Sequence, residues 1–335
     1  MTLPLIIAEA GVNHNGDLGQ AREMVAAAAE AGADYVKFQS FSAESLVSVG
    51  TKTADYQRAN TGENDQTALL QALELARGDF AVLAEACRDH RIGFMVTAFD
   101  MAMVADLIEM GMDRIKVASG ELTNDPALVH FAGFGLPVLL STGMATMAEV
   151  IHAVDILRAA GAKEITPLHC TSLYPAPEAS LNLRAMVTVA ETLGLPTGYS
   201  DHSLGDHAAI AAVALGAVVI EKHFTLDRSL QGPDHRASME PDELASMISK
   251  LHSVRAMLGD GEKKPAPGEA ECAALVRRSW HATRNIAKGS MLGVADIALK
   301  RPAEGLPPSA SPVGLRAHRP LAANGPITAN DVEGV

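Results

Sequence analysis

Cysteine is scarce: Cys87, Cys170 and Cys272 are the only three in 335 residues, and no C-x-x-C pair occurs. That odd, scattered set excludes a disulfide framework and a zinc ribbon, and fits a reducing cytoplasm. Long apolar runs are missing as well. The strongest, Ala208–Ile220, is 13 residues, short of the roughly 20 that cross a bilayer. No Lys or Arg precedes the apolar run Leu3–Ala8, so no secretory leader is expected. Positive charge is in deficit, with 27 Lys+Arg against 40 Asp+Glu for a net −13. Long-range steering therefore opposes nucleic acid and anionic membrane, while a local basic pocket stays possible. Also absent are a G-x-G-x-x-G after the first strand-like run, a G-x-S-x-G elbow and a Walker loop. These absences weigh against dinucleotide-binding, serine-hydrolase and P-loop readings.

What is present is regular. Apolar residues make up 48% and charged residues 20% of the chain, ordinary values for a folded protein. Short β-branched runs occur at Leu5–Ala8, Tyr35–Gln39, Gly93–Thr97, Arg114–Val117, Val138–Ser141, Ile165–His169, Thr197–Ser200 and Val218–His223. Between them lie Ala/Leu-rich stretches such as Gln20–Ala31, Phe80–His90, Met101–Met110, Met147–Ala160 and Arg184–Leu193, and Pro241–Leu258 follows the last run. Gly32, Gly111, Gly161 and Gly194 stand where helix C-caps need a left-handed residue. Strands alternating with helices imply a parallel sheet, and eight such units imply a (β/α)8 TIM barrel, with an open doubly wound sheet as the alternative. This α/β barrel is expected over 1–258. A Gly/Pro/Lys-rich linker follows over 259–268, and a small, mostly β module over 269–335. That module is near the lower size for an independent core and is expected to lean on another surface. The polar segment Ser40–Gln66 is long for a βα connection and reads as an irregular lid or binding loop, or a plain surface insertion.

In a barrel of this kind the chemistry gathers where the strands end. Those ends carry Glu9, Lys37, Gln39, Thr97, Lys116, Ser119–Gly120–Glu121, Ser141–Thr142–Gly143, His169–Cys170–Thr171–Ser172, Ser200–Asp201–His202 and Glu221–Lys222–His223. Lys37 and Lys116, with the hydroxyls of Thr97, Ser119, Ser141 and Ser200 and backbone near Gly120 and Gly143, suit a small polyanion. Each lysine could instead be a strand-end charge reaching solvent. His202 and His223 end adjacent strands, where two imidazoles suit Mn, Fe, Co or Zn better than Mg or Ca. A pair of rim histidines bonded only to protein is the alternative, and His14 and His169 lack a partner at matched depth. Glu9 and Glu121 could exchange protons or accept from sugar hydroxyls, or either could form a salt bridge to Lys37 or Lys116.

The segments IIAEAGVNHNGDLGQAREMVAAAAEAGADYVKFQSF, IKVASGELTN, LPVLLSTGMAT, LHCTSLYPAP, GYSDHSLGDHAAIAAVALGA, IEKHFTLDRSLQGPDHRASMEP and ALKRPAEGL occur in this order over nearly the whole chain. Together they resemble the bacterial sialic acid synthases, which make N-acetylneuraminate and related nonulosonates such as legionaminate. The resemblance implies a (β/α)8 barrel with a C-terminal antifreeze-like (SAF) domain, and a domain-swapped homodimer in which that domain caps the partner's barrel. It implies condensation of phosphoenolpyruvate with the open-chain aldehyde of an N-acetylated hexosamine. In that chemistry C3 of the enolpyruvate attacks the sugar carbonyl and water attacks C2. C–O cleavage then releases phosphate. By the same resemblance Lys37, Thr97, Lys116, Ser119, Ser141, Ser172 and Ser200 would hold phosphoenolpyruvate. Glu9, Gln39, Tyr174 and Asp234 would contact the sugar, Glu121 or alternatively Glu9 would handle water, and Arg301 would bind the N-acyl group in the partner's site. His202 and His223 would hold a divalent metal, Mn2+ before Mg2+ or Co2+.

Three positions depart from the family pattern. Ser172 stands where Thr or Asn is frequent, Ala98 replaces a frequent Pro, and Ala303 replaces the Gly that commonly follows the Arg-Pro pair. GPDHRASMEP resembles the neuraminate and legionaminate branches more than the pseudaminate branch, so His235 and Arg236 would favour a manno-configured sugar. No extra basic cluster calls for a 6-phosphorylated one. The rival readings are a synthase of shorter 3-deoxy-ulosonates, a Schiff-base aldolase using Lys37 or Lys116, and a non-catalytic sugar-binding relative.

Overall fold

A computed structural model describes residues 3–334, which fall into two compact units that divide between Asp260 and Gly261. The larger holds eight parallel strands: β1 (Leu5–Gly11), β2 (Tyr35–Ser40), β3 (Gly93–Ala98), β4 (Ile115–Val117), β5 (Val138–Ser141), β6 (Ile165–Cys170), β7 (Gly198–Asp201) and β8 (Val219–His223). They run in the order β3-β2-β1-β8-β7-β6-β5-β4, so β8 pairs with β1 and the sheet rolls up. β3 and β4 lie side by side without pairing. This is the expected TIM barrel with one unzipped seam. Gly32, Gly111, Gly161 and Gly194 all take positive φ, between 64° and 118°, ending their helices as left-handed caps.

Strand alternation then sorts the side chains. Ile7, Met95, Leu139, Leu168 and Val219 meet inside the barrel as an apolar floor. Two residues further along the same strands stand Glu9, Thr97, Ser141, Cys170 and Glu221. The intervening residues, among them Ile6, Ala8, Val36, Phe38, Val96, Leu140 and Ile220, face outward and pack under the helices in the main core. Lys222 is the exception on that outer side. Fully buried, it reaches Asp201 Oδ2 at 2.8 Å and the Ser203 carbonyl at 2.5 Å. Asp201 Oδ1 in turn accepts from the Ser203 amide and hydroxyl at 2.8 and 2.6 Å.

Two segments differ from expectation. The stretch expected to be irregular over Ser40–Gln66 contains short helices at Ala43–Leu46 and Asp55–Thr61, and a third follows at Gln66–Leu73. Gly62 at φ 77° ends the second, and Asp65 opens the third by accepting from the Thr67 amide. The tail begins not with a strand but with a helix, Glu269–Val276, whose two first-turn glutamates and Ala-rich run favour it. Beyond it, Ser279–Ala282 pairs antiparallel with Ile297–Lys300, and Arg316–Ala317 with Val332–Glu333. A separate core of Ala282, Ile286, Leu292, Ile297, Leu306, Ala317, Leu321, Ile327 and Val332 holds this unit together.

Breaking a buried ion pair from one side leaves an uncompensated charge. Lys222→Met should therefore cost about 3–5 kcal/mol in chemical denaturation, and Lys222→Met with Asp201→Asn should recover most of it. Undiminished stability in the single variant would count against the pair's structural role.

Candidate active site

The C-terminal ends of the barrel strands surround a cavity of about 380 Å3, within the range of small-molecule sites. At its base lies a buried ionic quartet. Lys37 Nζ sits 2.6 Å from Glu9 Oε2, 3.7 Å from Glu221 Oε2 and donates to Thr97 Oγ1 at 2.8 Å. Lys116 Nζ lies 3.4 Å from Glu221 Oε1, which also accepts from the Ser200 hydroxyl at 2.9 Å. Gln39 Nε2 donates to Glu9 Oε1 at 3.0 Å. Burial alone would push Glu221 up, but Lys116, Lys37 and the Ser200 hydroxyl outweigh it and hold the carboxyl at about 2. Glu9 moves the other way: burial, reinforced by Glu221, raises it despite Lys37. Lys37 is desolvated too, yet its two carboxylate neighbours keep it protonated, whereas burial lowers Lys116.

Glu221 was not assigned a role from the sequence, and the signal was there. It stands two residues before His223 on one strand, so both point inward. The expected salt-bridge alternative holds for Glu9 with Lys37. The partner of Lys116 is Glu221, not Glu121. Glu121 sits in a 3-10 turn at the rim, outside the cavity lining, with its Oε2 accepting from Asn124 Nδ2 at 2.6 Å.

Beside the lysines, Ser119, Ser141, Ser172, Ser200 and Thr97 all line the cavity. The Gly143 amide donates to Ser119 Oγ at 3.0 Å. A Cβ on Gly143 would come within 2.3 Å of Ser172 Oγ and 2.9 Å of Ser119 Oγ. Only glycine permits this convergence of hydroxyls and backbone, the texture of an anion cradle.

The two histidines meet at 5.4 Å between ring centroids. His202 Nδ1 bonds the Thr171 carbonyl at 2.7 Å; a carbonyl only accepts, so Nδ1 carries the proton and Nε2 keeps its lone pair. His223 Nδ1 is buried without a hydrogen-bond partner, 3.9 Å from Asp234 Oδ2. Burial lowers both imidazoles, with His202 adding to the effect on His223, so both are neutral near pH 7. Two neutral imidazoles with free lone pairs fit a divalent transition metal. Among the described residues no third His, Cys, Asp or Glu completes such a set, so further ligands would come from water or substrate, as in open catalytic sites.

Tyr174 packs on His202 at 4.2 Å and edge-on to His223 at 5.7 Å, and Tyr56 stacks on Tyr174 at 5.2 Å. Tyr56 and Gln57, and Leu70 and Leu73 further along, come from the segment between β2 and β3, a wall that no periodicity in the sequence marked. His235 points elsewhere, bonded to Thr225 Oγ1 at 2.7 Å and Asn15 Oδ1 at 3.2 Å. His169 bonds the Leu181 carbonyl, and His14 is buried beneath Phe38. Arg301 is exposed on the smaller unit. No helix among the described residues is long and apolar enough to cross a membrane.

Residues 24–263 match the model of the NeuB family, and residues 277–333 match that of the SAF domain. The N,N'-diacetyllegionaminic acid synthase of Legionella pneumophila is 47% identical over 309 residues, 91% of this chain and 87% of the relative. Its counterpart in Campylobacter jejuni is 44% identical, covering 91% of this chain and 92% of the relative. The pseudaminic acid synthase of Helicobacter pylori is 33% identical over 98% of both chains. Among solved structures, the N-acetylneuraminic acid synthetase of Leptospira borgpetersenii in complex with citrate is 37% identical with a TM-score of 0.73, covering 81% of this chain and 90% of that one.

Asp234 Oδ1 is buried without a partner, and burial, with Glu9 adding, raises its carboxyl to about 7. A folded-state value above the unfolded one means that stability falls as pH rises between the two. In metal-free protein, Asp234→Asn should thus raise Tm by an amount that grows from about pH 4 to 7 and levels off above. A pH-independent Tm difference would refute this.

Proposed function

Because the chain belongs to the NeuB family and carries a SAF domain, we propose that it condenses phosphoenolpyruvate with 2,4-diacetamido-2,4,6-trideoxymannose, giving a nine-carbon 2-keto-3-deoxy acid of the legionaminate type and phosphate. The observation that carries this reading is the buried Glu9–Lys37–Glu221–Lys116 quartet, ringed by hydroxyls and set beside two neutral histidines. The identities of 47% and 44% to legionaminate synthases, against 33% to a pseudaminate synthase, support the branch.

In this reading Lys37 and Lys116 neutralise the phosphate and carboxylate of phosphoenolpyruvate, while Thr97, Ser119, Ser141, Ser172 and Ser200 orient their oxygens. Glu9, Gln39, Tyr174 and Asp234 contact the sugar. Glu9, the carboxyl that burial raises, exchanges a proton at the sugar's reacting oxygen. Glu121 orients water from the rim, its carboxylate fixed by Asn124. His202 and His223 hold the metal, Mn2+ before Mg2+ or Co2+, which when bound polarises the aldehyde as a Lewis acid. Arg301 serves the partner's site in a domain-swapped homodimer and binds the sugar's N-acyl group. A cytoplasmic setting suits Cys87, Cys170 and Cys272, all of them free thiols.

Phosphate release from phosphoenolpyruvate with Mn2+ tests the proposal. The diacetamido sugar should support release, chelator should abolish it and metal restore it. No release from folded protein with that sugar, N-acetylmannosamine or its 6-phosphate would overturn it. His223→Ala should abolish metal-dependent turnover yet leave phosphoenolpyruvate binding largely intact, and a parallel loss of that binding would contradict the metal assignment. Arg301→Ala should chiefly raise KM for the sugar; an unchanged value would reject its contact.

A further inference from the structure

We propose that the segment over residues 41–73 reads the non-reacting end of the sugar. Through Tyr56, Leu70 and Leu73 it selects a sugar that is uncharged and apolar there, deoxygenated or carrying acyl methyl groups. The inference rests on the reading that phosphoenolpyruvate and a sugar share the cavity, and adds which part of the chain chooses the sugar.

The cavity is layered. Its apolar floor is followed along the strands by the ionic quartet and then by the histidines; Tyr174 packs on the histidines and Tyr56 stacks on Tyr174. With the sugar's carbonyl at the histidines, Tyr174, which packs on both rings, brings Tyr56 within reach of the rest of the sugar. The segment contributes Tyr56, Gln57, Leu70 and Leu73 to the lining, none of them charged, and the ionisable group beside Tyr56 is the Asp234 carboxyl, an acid that would repel a phosphate. The cations of the lining are Lys37 and Lys116, both already engaged with carboxylates deep in the barrel. Arg58, the nearest cation along the segment, pairs with Asp55 at 2.5 Å and does not line the cavity.

The wall is also preformed. Leu73 and Leu69 pack with Val12, just beyond Gly11, and Phe41 lies against them. Asn60 Nδ2 donates to the Pro233 carbonyl at 2.7 Å, tying the segment to the loop that carries Asp234. A phosphate placed against Leu70 and Leu73 would be a desolvated, unpaired charge, which is costly. A methyl group there displaces water from apolar surface instead, and single apolar groups of this size discriminate by roughly 10–200-fold.

The test compares kcat/KM for 2,4-diacetamido-2,4,6-trideoxymannose, N-acetylmannosamine and N-acetylmannosamine 6-phosphate in wild type, Tyr56→Ala and Leu70→Lys. Tyr56→Ala should compress the preference for the diacetamido sugar over N-acetylmannosamine by about tenfold or more, leaving KM for phosphoenolpyruvate within about twofold. Leu70→Lys should raise the relative use of the 6-phosphate by about tenfold or more. Should Leu70→Lys fail to fold, Leu70→Gln supplies the polar, uncharged comparison: it should erode the diacetamido preference without any gain for the 6-phosphate. Variants that change all three sugars by one common factor would overturn the proposal. A wild type that releases no phosphate with any sugar would overturn the underlying function instead, so the two failures are distinguishable.

Discussion

Everything at the barrel mouth depends on how two ammonium groups and two carboxylates are kept together out of water. None of the four can be removed singly without leaving a buried charge. Their strands explain more than the anion cradle. Glu9, Lys37 and Glu221 come from β1, β2 and β8, which pair side by side, whereas Lys116 comes from β4 at one end of the sheet. Glu221 therefore reaches across the interior to a strand that backbone hydrogen bonds leave unjoined to β3. The ionic cluster ties together what the sheet does not.

Unsatisfied atoms cluster in the same place. Ser141 Oγ, His223 Nδ1 and Asp234 Oδ1 are all buried without hydrogen-bond partners. Such atoms are rare in folded proteins and ask for an explanation each time. Here they surround one cavity and are of the kinds that a phosphate, a metal and a sugar hydroxyl would satisfy. The cost of holding them open is borne by the apolar floor and by the helix-packed outer core, which are conventional.

The barrel was legible because each strand is a short β-branched run closed by polar residues, and because glycine marks the helix ends. The depth of the site was legible for the same reason, since strand ends define the mouth. Partnership was not. From sequence Glu9 and Glu121 are both open as partners of either lysine, and only the closed barrel brings Glu221 across to Lys116. Nor could the sequence show that Thr171 supplies a carbonyl to His202, since that contact joins two loops through backbone. Tyr56, Leu70 and Leu73 lie in a stretch whose polar composition hides three short helices. The opening helix of the tail was masked in the same way, its Ala-rich run overshadowed by the Gly and Pro around it.

Lys222 gives the barrel one more property. It lies between Glu221 and His223 and points away from both, into a pocket made by Asp201 and Ser203. A slip of one residue in β8 would exchange the faces. Lys222 would turn inward beside Lys37 and Lys116, crowding three ammonium groups around Glu9, while Glu221 would turn outward against Asp201. Both sides of the sheet would then carry like charges in contact, away from solvent. The strand is apolar enough to tolerate a shift on hydrophobic grounds alone, with Val219 and Ile220 nearly interchangeable. Alternating charge makes the misregistered barrel electrostatically self-defeating, so the residues that would bind the substrates also proofread the fold that holds them.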